Sequence, residues 1–184
     1  MNVSVRAGAR GVAAAVLAAC CAGASAGLAG ADERVPERQS DRQAAGSLSA
    51  QLVLVADDRR ILGAWDGRQE TLDVATVRAV AVGGQANAFV VFTGCTQASS
   101  GHCDVTMRFH VYRPDGKVFA VSPPMEVWQY KPAPPARALQ PSAQYLKVVV
   151  EPHDALGRYV VSASVKDHVS GATLQLSTAF EATR

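Results

Sequence analysis

Apolar and polar residues alternate with a period of two over most of the chain from residue 48 onward. The clearest case is the segment 104–112, in which Val105, Met107, Phe109 and Val111 share one face of a strand and polar side chains occupy the other. A strand of this kind has one face in the core and one face in water.

Further strands are predicted by the same pattern, with Gly, Pro and Asp in the turns between them. These segments are 51–56, 60–65, 76–82, 87–92, 117–121, 125–130, 145–151, 158–167 and 172–182. The segment 60–65 is interpreted as the partner or the continuation of 51–56. No segment has the spacing of an amphipathic helix. Short strands with tight turns predict an all-β fold, an antiparallel β-sandwich of about eight strands.

The last third of the chain adds a resemblance. Residues 154–161, Asp-Ala-Leu-Gly-Arg-Tyr-Val-Val, precede an alternating strand, a tight turn and a last strand that ends at Phe180. This arrangement resembles the closing hairpin of immunoglobulin-like domains in exported bacterial proteins. The resemblance implies that Tyr159 forms a tyrosine corner, in which its hydroxyl bonds back to the preceding loop.

The resemblance has limits. Val161 stands where antibody domains have a cysteine, so their inter-sheet disulfide is not expected. The spacing from Asp154 to Tyr159 is also one residue longer than in antibody domains. The likeness covers about the last 35 residues, concerns the fold, and implies no activity.

Residues 1–26 are predicted to be an export signal peptide. Arg6 and Arg10 precede the apolar stretch 11–19, and small residues follow it. The apolar stretch is shorter than the ~20 residues that span a bilayer. The pattern therefore predicts an exported protein, located in the periplasm.

Two processing routes remain open. Cleavage after Ala26, at the small-residue site Ala24-Ser25-Ala26, releases a soluble protein and removes Cys20 and Cys21. Alternatively, Leu17-Ala18-Ala19-Cys20 resembles a lipobox, the motif of bacterial lipoproteins, and implies acylation of Cys20 and an anchor in the outer membrane. A lipid anchor is the only membrane attachment that the sequence predicts.

Residues 27–47 are predicted to be a flexible charged linker, with the sandwich over 48–184. The linker has almost no large apolar residue with which to offset its ordering entropy. Without Arg6 and Arg10 the chain's 18 basic residues fall to 16, equal to its 16 acidic ones. No basic run remains to follow a phosphate backbone, so nucleic acid is not an expected partner.

Cys95 and Cys103 flank a loop between two predicted strands. In an oxidising compartment the simplest interpretation is a disulfide. The alternatives are a metal site that includes His102 and a redox pair. Neither has the short Cys-x-x-Cys spacing, and two thiolates with one histidine leave a tetrahedral site incomplete.

Catalytic patterns are weak in this sequence. The pairs His153-Asp154 and Asp167-His168 are adjacent along the chain, but neighbouring residues of a strand point to opposite faces, and both pairs fall in predicted turns. No Gly-x-Ser-x-Gly, His-Glu-x-x-His or phosphate-binding loop is present. We therefore predict no enzyme activity, no cofactor and no metal, and keep a small hydrolase or a metal carrier as lesser alternatives.

The best candidate for recognition is the segment 125–135. Trp128 and Tyr130 are predicted to share a strand face, and Pro132, Pro134 and Pro135 hold the chain extended at low entropic cost. Such a segment suits an unknown protein or glycan ligand in the cell envelope. The alternative is that Trp128 packs into the sandwich while the prolines protect an edge strand from aggregation.

The sequence therefore predicts a non-catalytic accessory or binding domain of the periplasm or cell envelope, of unknown ligand. The alternative class is an outer-membrane lipoprotein with a structural role in the envelope, acylated at Cys20.

Overall fold

A computed structural model describes residues 3–5, 35–36, 40–63, 65 and 67–184. Almost all of the predicted export signal, including Cys20 and its lipobox, lies outside these residues, as does most of the predicted linker. Within the described residues the chain forms twelve strands and one four-residue helix.

The strands follow one another from the first residues to the C-terminus. Their bounds are β1 (Val3–Val5), β2 (Arg42–Ala45), β3 (Leu48–Val55), β4 (Ala79–Ala81), β5 (Gln85–Thr93), β6 (His102–Tyr112), β7 (Val118–Val121), β8 (Met125–Pro132), β9 (Gln140–Pro141), β10 (Leu146–Val149), β11 (Gly157–Asp167) and β12 (Thr173–Thr183). The helix α1 (Arg59–Leu62) lies between β3 and β4.

Two sheets form a β-sandwich, as the alternating pattern predicts. The first sheet has the order β1-β10-β5-β3-β2, with β9 paired to β5. The second has the order β4-β12-β11-β6-β7, with β8 paired to the other half of β6. The pairs are antiparallel except for β1 with β10 and β4 with β12, which are parallel.

The main core lies between the sheets. On β6, the four residues predicted to face inward, Val105, Met107, Phe109 and Val111, are all buried in it. The facing residues of β11 and β12 are buried in the same cluster. The all-β sandwich is therefore confirmed, together with the inward faces of its longest strands.

The boundary predicted between linker and domain is wrong. Residues 42–45 belong to the predicted linker, but they form β2, which pairs antiparallel with β3 through a turn at Gly46, where φ is 61°. An edge strand exposes much of its surface to water, so it needs few large apolar residues. For this reason the polar composition of the segment did not reveal it.

The strand predicted at 60–65 is also wrong. Residues 60–62 belong to α1, and Trp65, Leu72 and Val74 follow the helix and pack on the outer face of the first sheet. Residues Val53, Val55, Phe89 and Val91 of that face form a second buried cluster with Ile61 of α1 and Tyr145. The sheet is thus covered on both faces near β3 and β5, which explains why these strands are apolar throughout.

The tyrosine corner predicted at Tyr159 is not formed. The Tyr159 ring is buried and stacks on Phe180 at 5.4 Å, but its hydroxyl has no hydrogen-bond partner among the described residues. In the preceding loop, the Asp154 carboxylate instead accepts the backbone N–H of Glu151 at 2.8 Å. Burial, and then the charge of Asp154, raises the pKa of Tyr159.

Across the described ranges, no helix combines the length and the apolar character that crossing a bilayer requires.

Candidate functional site

Cys95 and Cys103 are joined by a disulfide, with their Cα atoms 6.0 Å apart. Both cysteines belong to the main core, so the bridge closes the loop that leads from β5 to β6 against the interior of the sandwich. This confirms the predicted bridge and makes both thiols unavailable as metal ligands.

Asp167 also anchors the loop that leads from β5 to β6. It is fully buried, and its carboxylate accepts three backbone N–H groups, those of Thr96, Val169 and Ser170, at 2.9, 2.9 and 3.2 Å. Burial alone would raise the pKa of Asp167, but these N–H groups outweigh it and hold the pKa below its ordinary value. A carboxylate bonded in this way organises the backbone and is poorly suited to act as a base.

The candidate histidines do not converge. His168 contacts the Thr106 hydroxyl through Nε2 at 2.8 Å, and His153 lies 3.4 Å from Glu151. His102 is exposed at the start of β6. In the part of the chain that the structure describes, no group of three or more His, Cys, Asp or Glu side chains is arranged to hold a metal ion.

The strand β8 departs from regular pairing at two points. Its register with β6 shifts between Val105 and Thr106 and again between Cys103 and Asp104. The second shift leaves Tyr130 as an extra residue, between Gln129 and Lys131, with no partner in β6. A bulge of this kind re-aims the side chain that it carries.

Trp128 therefore does not share a face with Tyr130, contrary to the prediction. It lies opposite Val105, packs on Phe92 of the main core with ring centroids 5.8 Å apart, and donates its indole N–H to the carbonyl of Pro132 at 2.9 Å. Trp128 is thus partly buried and packs against the main core, which is closer to the alternative interpretation than to an aromatic displayed for a ligand.

Tyr130 is instead turned to solvent. Its side chain is 76% exposed, and its φ of 52° is in the left-handed region, which a non-glycine residue rarely adopts. Such strained residues persist only where the surrounding structure imposes them, and they concentrate at functional sites. Tyr130 is also the most exposed large hydrophobic residue of the described chain.

Lys131 stabilises the strand beside Tyr130, although no sequence pattern points to this role. Its ammonium group lies 2.6 Å from the Glu126 carboxylate and 5.1 Å from the centre of the Trp128 ring. The spacing of these residues along a regular strand gives no sign of this contact. It depends on the bulge between them, which no sequence pattern marked.

The prolines form the other end of the surface. Pro132 and Pro135 are exposed and Pro134 is half-buried. Between residues 133–136 and Gly94, Cys95 and Gln97 lies a shallow cavity of about 160 Å³. We use "the Tyr130 surface" for Tyr130, Lys131, Pro132, Pro134 and Pro135. Tyr130 is its exposed aromatic side chain, and Pro134 and Pro135 border the cavity.

No family model matches this sequence, and no curated protein matches it. Among solved structures, similarity is found to a family 123 glycoside hydrolase from Clostridium perfringens (11% identity, TM-score 0.43, 76% of this chain and 28% of that chain). It is also found to the C-terminal domain of wzt (10% identity, TM-score 0.40, 83% and 81%) and to the alkylpurine DNA glycosylase AlkC of Pseudomonas fluorescens (16% identity, TM-score 0.36, 58% and 28%).

The chain spans less than a third of the length of the glycoside hydrolase and of AlkC. Because every TM-score is below 0.5, we infer no function from these similarities.

Proposed function

We propose that this protein is an exported, non-catalytic binding domain of the cell envelope that recognises a protein partner through the Tyr130 surface. The observation that carries the proposal is the conformation of Tyr130, which is 76% exposed and held at a φ of 52° by a bulge. The exposed side chain adds nothing to the core, and it is the strained backbone at Tyr130 that points to a functional role.

The exposure of Tyr130 supports a protein partner. Its side chain is 76% exposed, so a ligand that surrounds it must supply the concavity itself. Tyrosine is among the residues that most often anchor protein interfaces, because it buries a large area with few rotatable bonds. The Lys131–Glu126 ion pair and the packed Trp128 hold the base of Tyr130 in place before binding.

The edge itself is poorly suited to strand addition. Bulges interrupt the hydrogen-bonding register of β8, and the backbone N–H groups of Ala143 and Gln144 already bond to the carbonyls of Val127 and Glu126. Recognition through side chains therefore fits this edge better than pairing of backbones.

The absence of catalysis is part of the proposal. The carboxylate of Asp167 already accepts three backbone N–H groups, and the nearby His168 bonds to Thr106. A general base must reach the proton that it removes, and Asp167 is fully buried.

The compartment is proposed on two grounds. The export signal predicted at residues 1–26 and the Cys95–Cys103 disulfide both fit an oxidising location. We further propose that the sandwich is immunoglobulin-like and that the soluble form, cleaved after Ala26, is the mature product. The intact mass of protein isolated from its native host tests this, since acylation at Cys20 gives a different start and added mass.

Cosedimentation with envelope fractions of the native host tests the binding proposal. We expect the exported protein to sediment with one membrane fraction, and Tyr130→Ser to lose most of that binding. Val169→Ser removes another exposed hydrophobic side chain and is the matched control. Equal binding of all three proteins would overturn the proposal. Binding that survives protease treatment of the envelope but is lost on digestion of its glycans would replace the protein partner with a glycan.

A further inference from the structure

The proline segment 131–136 lies between two residues with an unusual backbone conformation. Tyr130 and Arg137 have φ values of 52° and 66°, and among the described residues they are the two with a left-handed φ that are not glycine. Such a conformation persists where the surrounding structure imposes it, and it concentrates at functional sites. Both side chains are exposed, so the fold uses neither of them as a core residue.

Hydrogen bonds restrain the segment at both of its ends. Ala133 donates its N–H to the carbonyl of Gly101 at 3.3 Å. Ala138, which is buried, donates its N–H to the carbonyl of Pro135 at 3.0 Å. The segment is therefore held in place before a partner binds, which lowers the entropic cost of binding.

The prolines favour an extended backbone in this segment. Ala133 and Pro134 each precede a proline, a position that disfavours helical conformations. Proline-rich chains adopt the polyproline II helix, in which every third residue lies on the same side. Pro132 and Pro135 are three residues apart, and both are exposed. The two rings therefore form one apolar side that a partner can contact.

Arg137 provides the charge next to these rings. Its side chain is exposed and forms no ion pair with a described residue. Lys131, at the other end of the segment, is already paired with Glu126 at 2.6 Å. Of these two described cations, Arg137 is therefore the one that a carboxylate of a partner can pair with.

We propose that residues 132–137, Pro-Ala-Pro-Pro-Ala-Arg, bind an aromatic-lined groove of a partner protein that has a carboxylate at one end. Pro132 and Pro135 pack between aromatic side chains of the groove, and Arg137 pairs with the carboxylate. Grooves of this kind recognise polyproline II segments, which are already extended and lose little entropy on binding. The inference rests on the function proposed for the Tyr130 surface and names the chemistry of its partner.

Cosedimentation of the full exported protein with envelope fractions of the native host tests the segment. We expect Pro132→Ala and Pro135→Ala each to weaken binding about 10-fold, because each loses a buried ring and makes the free chain more flexible. Arg137→Gln should weaken binding to a similar extent and Arg137→Glu further, because the introduced charge repels the carboxylate. All four substitutions are at exposed residues, so the sandwich should fold normally.

The matched controls are Pro124→Ala and Arg108→Gln. Both residues are exposed and lie outside the segment, on the approach to β8 and on β6. Both variants should bind like the wild type. Weakening by the controls as strong as that by the segment variants would overturn the inference.

Cross-linking in the native host tests the chemistry of the groove. A benzoylphenylalanine replaces Ala136, which is exposed between Pro135 and Arg137, and mass spectrometry of the adduct identifies the contacted site. We expect a protein site with aromatic residues and at least one Asp or Glu. Replacing that acidic residue with Arg should restore binding of Arg137→Glu. A contacted site without aromatic residues, or no protein adduct, would overturn the inference.

The Tyr130→Ser variant separates this inference from the function on which it rests. Loss of binding in Tyr130→Ser, with wild-type binding by the proline and Arg137 variants, would overturn the inference and leave the proposed function standing. Wild-type binding by all of these variants, including Tyr130→Ser, would overturn both.

Discussion

The carboxylate of Asp167 accepts the backbone N–H of Thr96 at 2.9 Å, and this bond fastens the disulfide loop to the turn between β11 and β12. The same carboxylate bonds to two N–H groups of that turn, so a single buried charge organises two loops. Charge-assisted bonds of this kind are about twice as strong as neutral ones.

Replacing Asp167 with Asn should lower the free energy of unfolding by about 2 kcal/mol at neutral pH. The Asn amide nitrogen is a donor and cannot accept the N–H of Thr96. Urea denaturation measures the loss. Asp73→Asn, at an exposed residue, is the control and should change stability by less than about 0.5 kcal/mol.

The same hydrogen bonds make the free energy of unfolding depend on pH. The pKa of Asp167 is lower in the folded state than its ordinary value of 3.8, so its contribution is present above that value and is lost as pH falls through the folded pKa. The gap in stability between wild type and Asp167→Asn should therefore narrow below about pH 4. A gap that is constant down to pH 2 would contradict this account.

Gly94→Ala should be far more damaging than Gly101→Ala. Both glycines have a left-handed φ, of 73° and 77°, so both alanines are strained by about 1 kcal/mol. Only at position 94 would a Cβ also overlap with a backbone atom, the carbonyl oxygen of Ser47, whereas the space at Gly101 is open. We expect a loss of at least about 3 kcal/mol at Gly94, measured by thermal denaturation. Equal losses of stability in Gly94→Ala and Gly101→Ala would show that the backbone at Ser47 moves away and avoids the overlap.

Tyr145→Phe should destabilise the attachment of α1. The Tyr145 hydroxyl donates to the Asp58 carboxylate, and its ring stacks on Phe89 with centroids 4.3 Å apart. Phe keeps the stacking and loses the hydrogen bond, at a cost of about 1–2 kcal/mol. Tyr130→Phe, at an exposed ring, is the control and should be neutral.

The Tyr145 bond also predicts a loss of stability in alkali. Burial, and then the hydrogen bond to Asp58, raises the pKa of Tyr145 from 10.0 to about 12. Because the folded pKa is the higher one, the contribution is complete below pH 10 and is lost as pH rises toward 12. The difference between wild type and Tyr145→Phe in chemical denaturation should shrink over that interval.

Tyr159→Phe should have the opposite outcome, since the Tyr159 hydroxyl is buried without a partner. Removing it relieves a desolvation cost while the ring keeps its contacts with Phe180 and Phe119. We expect stability to stay equal or to rise by up to about 1 kcal/mol. A loss above 1 kcal/mol would mean that this hydroxyl is hydrogen-bonded in solution, as a tyrosine corner requires.

Sequence reasoning succeeded where one residue pattern determines one outcome. The alternation along β6 and β11 fixes which side chains are buried, because a strand has only two faces. The disulfide follows from two cysteines at the ends of a loop. Both features depend on residues that are close together in the sequence, so a short segment is enough to predict them.

Prediction from sequence failed where the outcome depends on contacts between segments that are far apart in the sequence. The polar edge strand β2 exists because β3 is beside it, and α1 is held by the outer face of the first sheet. The bulge at Tyr130 separates two aromatic residues that a regular strand would align. A groove beside β3 and β12 is lined by residues 51–54 and 177–181, from the two ends of the domain, which no short window of sequence brings together.

The carbonyls of Ser40 and Asp41 accept the N–H groups of Ser177 in β12 and of Leu52 in β3, so they attach the chain to both sheets. A force applied to the chain at Ser40 is therefore carried by both layers of the sandwich before it reaches the edge strand β2. Because the Ser40 bond comes first along the chain, it should break first, and the Asp41 bond should then still protect β2 from being peeled away from β3.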